Sequence, residues 1–450
     1  MNLRDYQIIF VRRILLAHQA GEQGIIGDLP TGAGKTVCFS RLSQVLINQN
    51  QKVLIIVHRA ELVRQTASKL KKFGLKFGVI AANFPPNSKA NIQIGMVQSV
   101  SRRISSGKLN HVFDYIIFDE AHLGAANSYK KIIRAFPLAR RLGVTATPFR
   151  LDGIGLTEIG RIVIKGPSIS ELVRLGHLCP FKTFSVEVAD LSKVEIVKGE
   201  YDTATQSAIL NRPNVTGDVV DHYFRLAEGR PAIFFCSGIK HSKSIVTEFK
   251  DRGVTAVHID GEMDPDLRNS AIKAFNRGEI QVLSNYGCLT EGLDCPRASY
   301  IGIVRKTKSP ALFRQMGGRG LRLFEGKDYC IIMDHAGNTL EHGPLHYEYP
   351  YSIDGVKKRK NQTSSRICKE CPSCMVIVNL TDTICHECGH SFAVEEKEIK
   401  QKEGELVEFT GDKPLVAKAQ KREQKAVIEY KRKASIDEFL SEMSALAPVI

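Results

Sequence analysis

Short apolar runs, each closing on a polar cluster, alternate with amphipathic stretches along the first 165 residues. Gly24–Ile26, Val53–Val57, Ile92–Met96, Tyr115–Phe118 and Leu142–Val144 read as buried strands, being short, rich in β-branched and aromatic residues and bounded by turn formers. Strands alternating with helical stretches build a parallel sheet covered on both faces, which binds ligands at the carboxyl ends of its strands. The pattern starts again at Ala232–Cys236, Ala256–Ile259, Ile280–Leu283, Tyr300–Val304 and Tyr329–Met333, with helices such as Ser242–Arg252 between. No close repeat relates the two halves, and two successive α/β lobes are expected.

The intervening residues 166–211 hold a candidate helix, Ser168–Leu175, and an extended polar segment ending near Gly199, which together read as a connector. After Asn338 the texture changes. Glu341–Asp354 is rich in Tyr, His and Pro, and Lys357–Lys360 is a basic run that reads as a solvated face, with phosphate contact as the alternative. Near the end, Ser435 and Glu438 form a capping box, and Ile436, Phe439, Leu440 and Met443 follow at helical spacing. That helix docks on its own protein or, in the other reading, on a protein partner. The expected division is a first lobe at 1–165, a connector at 166–211 and a second lobe at 212–345. A basic linker at 346–366, a cysteine module at 367–393 and a charged helical tail at 394–450 complete it.

A chain of 450 residues suggests about three domains at roughly 150 residues each. With 43% hydrophobic and 25% charged residues, it has enough apolar surface for several cores, which excludes disorder throughout. No apolar run approaches the roughly 20 residues that span a bilayer, and Met1–Phe10 shows no secretory pattern. A cytoplasmic protein without a membrane partner is expected, in the host cytoplasm if a phage encodes it. The net charge of +15 is unevenly placed. Residues 1–165 hold 24 Lys+Arg against 9 Asp+Glu, residues 166–356 hold 22 against 24, and residues 357–450 hold 17 against 15. A first third this basic favours a polyanion, nucleic acid first; a solvated basic surface is the plainer reading.

Leu29-Pro30-Thr31-Gly32-Ala33-Gly34-Lys35-Thr36 lies between an expected strand and an expected helix. A glycine-bearing loop there lets backbone N–H groups close around phosphate oxygens at a helix N-terminus. Lys35 would reach the β- and γ-phosphates and Thr36 would ligate Mg²⁺. Thr31, Gly32, Ala33 and Gly34 would form the cradle. The strict pattern has glycine where this chain has Leu29. Further on, the apolar strand Tyr115–Phe118 ends in Asp119-Glu120-Ala121-His122. One acid at a strand mouth can hold Mg²⁺, and the next can orient or deprotonate a water. Either element alone would pass for a turn or a helix cap; together they specify nucleotide hydrolysis.

Asp119-Glu120-Ala121-His122 resembles motif II of the DEAH-type superfamily 2 helicases, and the remaining motifs follow in order across residues 1–340. Leu3-Arg4-Asp5-Tyr6-Gln7 resembles the adenine-recognition element, which implies an ATP site including Arg4, stacking by Tyr6 and hydrogen bonding by Gln7. His58-Arg59-x-Glu61-Leu62-x-x-Gln65 resembles motif Ia, Val97-Gln98-Ser99 the next strand-contacting motif, and Thr145-Ala146-Thr147-Pro148 motif III. Ile233–Ser237 resembles motif IV, Thr290–Asp294 motif V, and Gln315-Met316-Gly317-Gly318-Arg319-Gly320-Leu321-Arg322 motif VI. The resemblance implies two tandem RecA-like domains with parallel sheets. It also implies nucleic-acid contacts from Arg59, Gln98, Ser99 and Thr290, and Lys35, Asp119, Glu120, Arg319 and Arg322 as catalytic residues. Two arginines three apart on a helical turn face one way, so they could cross a cleft to a γ-phosphate.

Within the superfamily the chain is most similar to RadD-like DNA helicases and phage branch-migration enzymes, through its adenine element, Gly318–Arg322 and Met333-Asp334-His335-Ala336-Gly337-Asn338. That implies branched or forked DNA in replication, recombination or repair. Duplex translocation without strand separation, and a junction-binding adaptor with a vestigial motor, are the alternatives.

Cys371-Pro-Ser-Cys374 and Cys385-His-Glu-Cys388-Gly389 have the spacing of a zinc ribbon, in which two knuckles supply four thiolates for Zn²⁺. Cys368 leaves the register open, since Cys368 and Cys371 would also form a first knuckle. An iron–sulfur cluster and free thiols are the alternatives. The expected whole is an α/β chain of two RecA-like domains with ATP, Mg²⁺ and Zn²⁺ as cofactors.

Overall fold

The computed structural model describes residues 2–392 except 83, 85–86, 110, 124–126, 149–154, 187–190, 192–193, 198–199, 228, 289–294, 349–352, 355–367, 375 and 386. Thr290, the Lys357–Lys360 run and the 394–450 tail lie outside the described residues.

The first lobe is built on strands β1 (Gly24–Asp28), β2 (Val53–Val57), β3 (Phe77–Ile80), β4 (Ile92–Met96), β5 (Tyr115–Asp119), β6 (Arg140–Thr145) and β7 (Ile162–Lys165). They form a parallel sheet in the order β3-β4-β2-β5-β6-β1-β7. Every residue of β2 and β5 is buried, as continuous apolar runs at the centre of a doubly covered sheet must be. Helices α1 (Asp5–Gln19), α2 (Lys35–Asn48), α3 (Ala60–Lys72), α4 (Val97–Ser105) and α5 (Asn127–Ala135) cover it.

Between the lobes runs α6 (Ile169–Arg174), opened by a capping box in which Glu171 N–H donates to Ser168 Oγ at 3.2 Å and Ser168 N–H donates to Glu171 Oε2 at 2.7 Å. The segment read as a connector then contributes β8 (Phe181–Ser185), which pairs in parallel with the last strand of the second lobe. Hydropathy hid it, because an edge strand with Lys182 and Thr183 at its centre lacks a continuous apolar run. A two-stranded hairpin, β9 (Ile196–Val197) with β10 (Glu200–Tyr201), and α7 (Thr203–Leu210) complete this stretch.

The second lobe holds β11 (Ala232–Cys236), β12 (Ala256–Ile259), β13 (Val282–Asn285), β14 (Tyr300–Val304) and β15 (Cys330–Asp334). With β8 they form a second parallel sheet, ordered β12-β13-β11-β14-β15-β8. Helices α8 (Pro213–Leu226), α9 (Ile239–Asp251), α10 (Pro265–Arg277), α11 (Pro310–Gly318) and α12 (Asn338–His342) accompany it. Strand β13 runs on past its apolar part because Ser284 and Asn285 are buried with partners: Asn285 Nδ2 donates to the Phe234 carbonyl at 2.8 Å. The cysteine module follows as a short hairpin, β16 (Cys368–Glu370) with β17 (Ile377–Asn379). Among the described residues no helix is long and apolar enough to cross a membrane.

Asp334, at the end of β15, fixes the chain leaving the second sheet. Its fully buried carboxylate accepts from Ala336 N at 3.2 Å, Asn338 Nδ2 at 3.0 Å, Thr339 N at 2.5 Å and Thr339 Oγ1 at 2.9 Å. Asn338 in turn donates to the Arg305 carbonyl and accepts from Thr307 N–H, which pins the loop entering α11. Asp334→Ala is expected to cost about 3 kcal/mol or more by leaving these donors buried and unpaired. Urea unfolding of the two forms measures it.

Candidate nucleotide site between the lobes

The loop between β1 and α2 turns on two glycines in the left-handed region, Gly32 at φ 88° and Gly34 at φ 83°. Space demands them as well as conformation. A Cβ on Gly34 would lie 2.5 Å from Gln7 Nε2, and one on Gly32 would lie 2.9 Å from Leu178 Cδ2. Leu29, in place of the usual glycine, is wholly buried and donates its N–H to the Thr145 carbonyl at 3.0 Å. The backbone bond would serve any residue; what leucine adds is an apolar side chain packed beside Gly166, and the two glycine turns that form the cradle are kept.

The first turn of α1 grips this loop from beneath. Tyr6 Oη and Gln7 Nε2 both donate to the Ala33 carbonyl, at 2.8 and 3.1 Å, and Gln7 Oε1 accepts from Arg4 N–H at 3.1 Å. Tyr6 and Gln7, expected at the adenine, are buried and bonded to the loop itself. His177, which the sequence did not single out, packs on Tyr6 with ring centroids 5.2 Å apart, and its carbonyl accepts from Arg4 Nη1 at 3.0 Å. Its only sequence signal was its place just after a capped helix.

Asp119 ends β5 at the centre of the first sheet, and Glu120 follows with φ at 50°. That conformation costs a non-glycine residue about 1–3 kcal/mol. It is held by Glu120 N–H donating to Asp119 Oδ1 at 3.1 Å and by Leu123 N–H donating to the Glu120 carbonyl at 2.9 Å. Burial, then the neighbouring Glu120, pushes the Asp119 carboxyl well above its usual range, and Lys35 pulls it back in part. Glu120 Oε2 and Thr31 Oγ1 are buried without a hydrogen-bond partner. Crowded carboxylates, orphaned oxygens and a glycine cradle fit a dication and a phosphate chain.

Motif III attaches directly to these acids. Thr145 Oγ1 accepts from Thr147 N–H at 3.0 Å and donates to the Thr147 carbonyl at 3.1 Å. His122 Nδ1 lies 3.1 Å from the same hydroxyl. The same Nδ1 lies 3.5 Å from Glu120 Oε2.

The second lobe closes the site. Gln315, Arg319 and Arg322 line a cavity of about 370 Å³ opposite Thr31, Gly32, Gly34, Lys35, Thr36, Asp119 and Glu120, with Arg4 and His177 at its edge. Arg319 opens a 3₁₀ turn, Arg319–Leu321, that continues α11, and Arg322 caps it. Across the same cleft, Arg268 Nη2 of α10 donates to Glu61 Oε1 of α3 at 3.0 Å, and Arg59 Nη1 donates to the Gly287 carbonyl at 3.4 Å. Arg59 thus bridges the lobes, beside a second cavity of about 600 Å³ where Arg64, Lys69 and Lys72 stand opposite Gly261, Asn269 and Cys288. Gln98 and Ser99 occupy the first turn of α4, at the carboxyl end of β4, with Gln98 exposed.

The cysteines converge separately. The sulfurs of Cys371, Cys374, Cys385 and Cys388 all lie within 4.8 Å of one another, with Cys371–Cys388 at 3.6 Å and Cys374–Cys385 at 3.7 Å. A tetrahedron with metal–sulfur bonds of about 2.3 Å has edges of about 3.8 Å, so four thiolates around one ion fit this spacing. The N–H of Cys388, with that of Glu387, pulls the Cys385 thiol down, and Gly389 takes the tight turn at φ 72°. Cys368 is not among the four. Its Sγ donates to the Thr339 carbonyl at 3.0 Å.

Thr145→Val would remove the hydroxyl that meets His122 Nδ1 and accepts from Thr147 N–H. ATP hydrolysis is expected to slow about 10- to 100-fold through misorientation of Glu120, with ATP affinity nearly unchanged. Steady-state turnover alongside binding of a fluorescent ATP analogue separates the two effects.

Two protein families match the chain in succession. The family described as type III restriction enzyme, res subunit, matches residues 1–150, and the helicase conserved C-terminal domain matches residues 215–323. A "51.5 kDa protein" of a Lactococcus phage is 31% identical over 384 residues, covering 84% of this chain and 81% of its own. The DNA 3'-5' translocase XPB2 of Sulfurisphaera tokodaii is 26% identical over 364 residues, 72% of this chain and 79% of that one. IRC3 of Saccharomyces cerevisiae, by its name a candidate ATP-dependent helicase, is 32% identical over 355 residues; the chain spans about half of it, 51%. Among solved structures, the ATP-dependent type ISP restriction-modification enzyme LlaBIII bound to DNA shares the fold, with a TM-score of 0.59 at 21% identity over 74% of this chain and 27% of that one. With two RecA-like lobes meeting at a phosphate loop, this chain belongs to the superfamily 2 helicases, enzymes that hydrolyse ATP to act on nucleic acid.

Proposed function

We propose that this chain is an ATP-dependent DNA helicase or translocase that unwinds or branch-migrates branched DNA in replication, recombination or repair. The observation that carries the reading is the shared cavity, with phosphate loop and acids on one lobe and two arginines on the other. ATP would lay its phosphates on the backbone N–H groups at the start of α2, with Lys35 at the β- and γ-phosphates. Thr36 and Asp119 would hold Mg²⁺, which when bound neutralises charge across those phosphates. Glu120 would take the proton of the attacking water. Arg319 and Arg322 would stabilise charge on the transferred group from the opposite lobe. Hydrolysis would release that bridge and let the lobes part.

Charge supports a polyanionic track, since the excess of Lys and Arg lies in the first 165 residues and lines the cleft at Arg59, Arg64, Lys69 and Lys72. Arg59, Gln98, Ser99 and Thr290 are our candidates for contacts to the strand, chiefly to its phosphates. The relative named as a DNA translocase and the fold shared with a DNA-bound motor favour DNA over RNA. The adenine element and Met333–Asn338 favour the RadD-like branch, hence forks and junctions. We assign Zn²⁺ to Cys371, Cys374, Cys385 and Cys388 on the sulfur spacing. Duplex translocation without strand separation is the second reading, favoured by the match of residues 1–150 to a restriction subunit.

ATP turnover over single strands, blunt duplex, a fork, a four-way junction and matched RNA, with displaced strand recorded in parallel and Glu120→Gln as the blank, tests these readings. We expect forks and junctions to stimulate turnover together with displacement. Stimulation by duplex without displacement would select the translocase, and full DNA processing by Lys35→Ala would refute a motor altogether. DNA affinity is expected to fall about 10³-fold or more between about 50 and about 200 mM salt. For the metal, elemental analysis is expected to find one zinc per chain, lost on Cys371→Ser.

A further inference from the structure

We propose that Lys327 is a positioning residue for ATP hydrolysis, an internal ammonium that sets the turn from which Arg319 and Arg322 project. Lys327 lies in the loop between that turn and β15, and its side chain runs inward. Nζ donates to the Gly320 carbonyl at 2.6 Å and the Arg322 carbonyl at 3.0 Å, and to the carbonyls of Pro296 and Ala298 on the loop entering β14. An ammonium has three protons and no acceptor; here four backbone oxygens converge on it.

The last carbonyls of a helix have no partner inside it, and the negative end of its dipole favours a cation. Lys327 meets both needs at the end of the α11 helix and its 3₁₀ extension. The carbonyl between its two ligands is taken as well, since Leu321 O accepts from Cys179 N–H at 2.8 Å. Every carbonyl from Gly320 to Arg322 is thereby fixed. Gly320 adds a steric constraint, because a Cβ there would lie 2.4 Å from Cys330 Sγ. The other arm of the ammonium fastens Pro296, which lines the nucleotide cavity. One charge therefore holds the arginine turn and the cavity wall beside it in a single geometry, without itself facing the nucleotide.

The proposal rests on the reading that Arg319 and Arg322 reach the nucleotide, and the test separates the two. The full chain would be titrated with ADP, and with ADP plus aluminium fluoride as the transition-state mimic, both with Mg²⁺. Arg319→Ala and Arg322→Ala are expected to weaken the mimic and spare ADP. Lys327→Met keeps the stem and removes the donors, and is expected to weaken the mimic about 10- to 100-fold, again sparing ADP. Lys327→Gln retains two N–H donors and should lose less, whereas Lys327→Arg should not rescue, since a planar fork cannot converge on four oxygens. In the Arg319→Ala, Arg322→Ala background, Lys327→Met should add almost nothing. If the arginine variants bind the mimic normally, the reading of the arginines fails and this proposal with it. If they lose it while Lys327→Met keeps it, the proposal alone is overturned. A Lys327→Met that weakens ADP and mimic alike, or adds its full factor in the arginine-free background, overturns it too.

Discussion

Everything chemical in this chain depends on one close approach. Gly318, at the end of α11, lies so near the phosphate loop that a Cβ there would stand 2.8 Å from both Cβ and Cγ2 of Thr31. Two separate sheets meet at that point, and only there do Lys35, Asp119 and Glu120 face Arg319 and Arg322. Glycine is required by space alone, because its backbone is ordinary right-handed helix with φ at −62°. Any side chain at this position would push the arginine turn away from the loop. The Arg268–Glu61 pair and the Arg59 bond to the Gly287 carbonyl hold the same approach at other points along the cleft.

The site is costly while it waits for ligand. Asp119 is buried beside a second carboxylate and its pKa is pushed up accordingly, Glu120 sits in a left-handed conformation, and buried oxygens of Thr31 and Glu120 lack partners. The strained backbone and each orphaned oxygen cost about 1–3 kcal/mol, and cations and phosphates bound in the same cavity would offset the crowded charge and the missing hydrogen bonds. The surrounding structure supplies the rigidity that tolerates them. The His122–Thr145–Thr147 contacts tie the turn after the acids to β6, and the α1 turn fixes the phosphate loop through one carbonyl, that of Ala33. Preorganisation of this kind keeps reorganisation out of the chemical step.

Local chemistry was legible in the sequence; long-range packing was not. The glycine spacing around Lys35, the acids closing Tyr115–Phe118 and the paired arginines of 315–322 each announce themselves within about ten residues, and the structure gathers them around one cavity. His177 and Lys327 carry no such local mark. His177 matters because Tyr6, far away in sequence, lies under it, and Lys327 because the helix end and the loop at 296–298 converge on it. Tyr6 and Gln7 show the converse case. Their pattern pointed to this corner of the structure, but their bond to the Ala33 backbone carbonyl could not be read from side-chain types. Cys368 belonged to the cysteine pattern by spacing alone, and its place in the β16 strand removes it from the cluster.

Strand β8 joins these elements, and it explains why a small cysteine module sits where it does. The residues just before it, His177 and Leu178, pack against the α1 turn and the phosphate loop. Cys179 N–H, one step nearer the strand, donates to the Leu321 carbonyl beside the arginines. The strand itself is the open edge of the second sheet, and an open edge invites pairing with foreign strands or fraying. Fraying at β8 would loosen both walls of the nucleotide site together. The module lies along that edge: Val376 bridges antiparallel to Phe184, Phe184 packs into the apolar cluster of Cys371, Val376, Val378 and Cys385, and Lys182 pairs with Glu387 at 2.5 Å. A segment this small has too little core to stand alone. Convergence of its four sulfurs stands where a larger core would, and the bridge to Phe184 lays the segment along the strand that runs on from the nucleotide site.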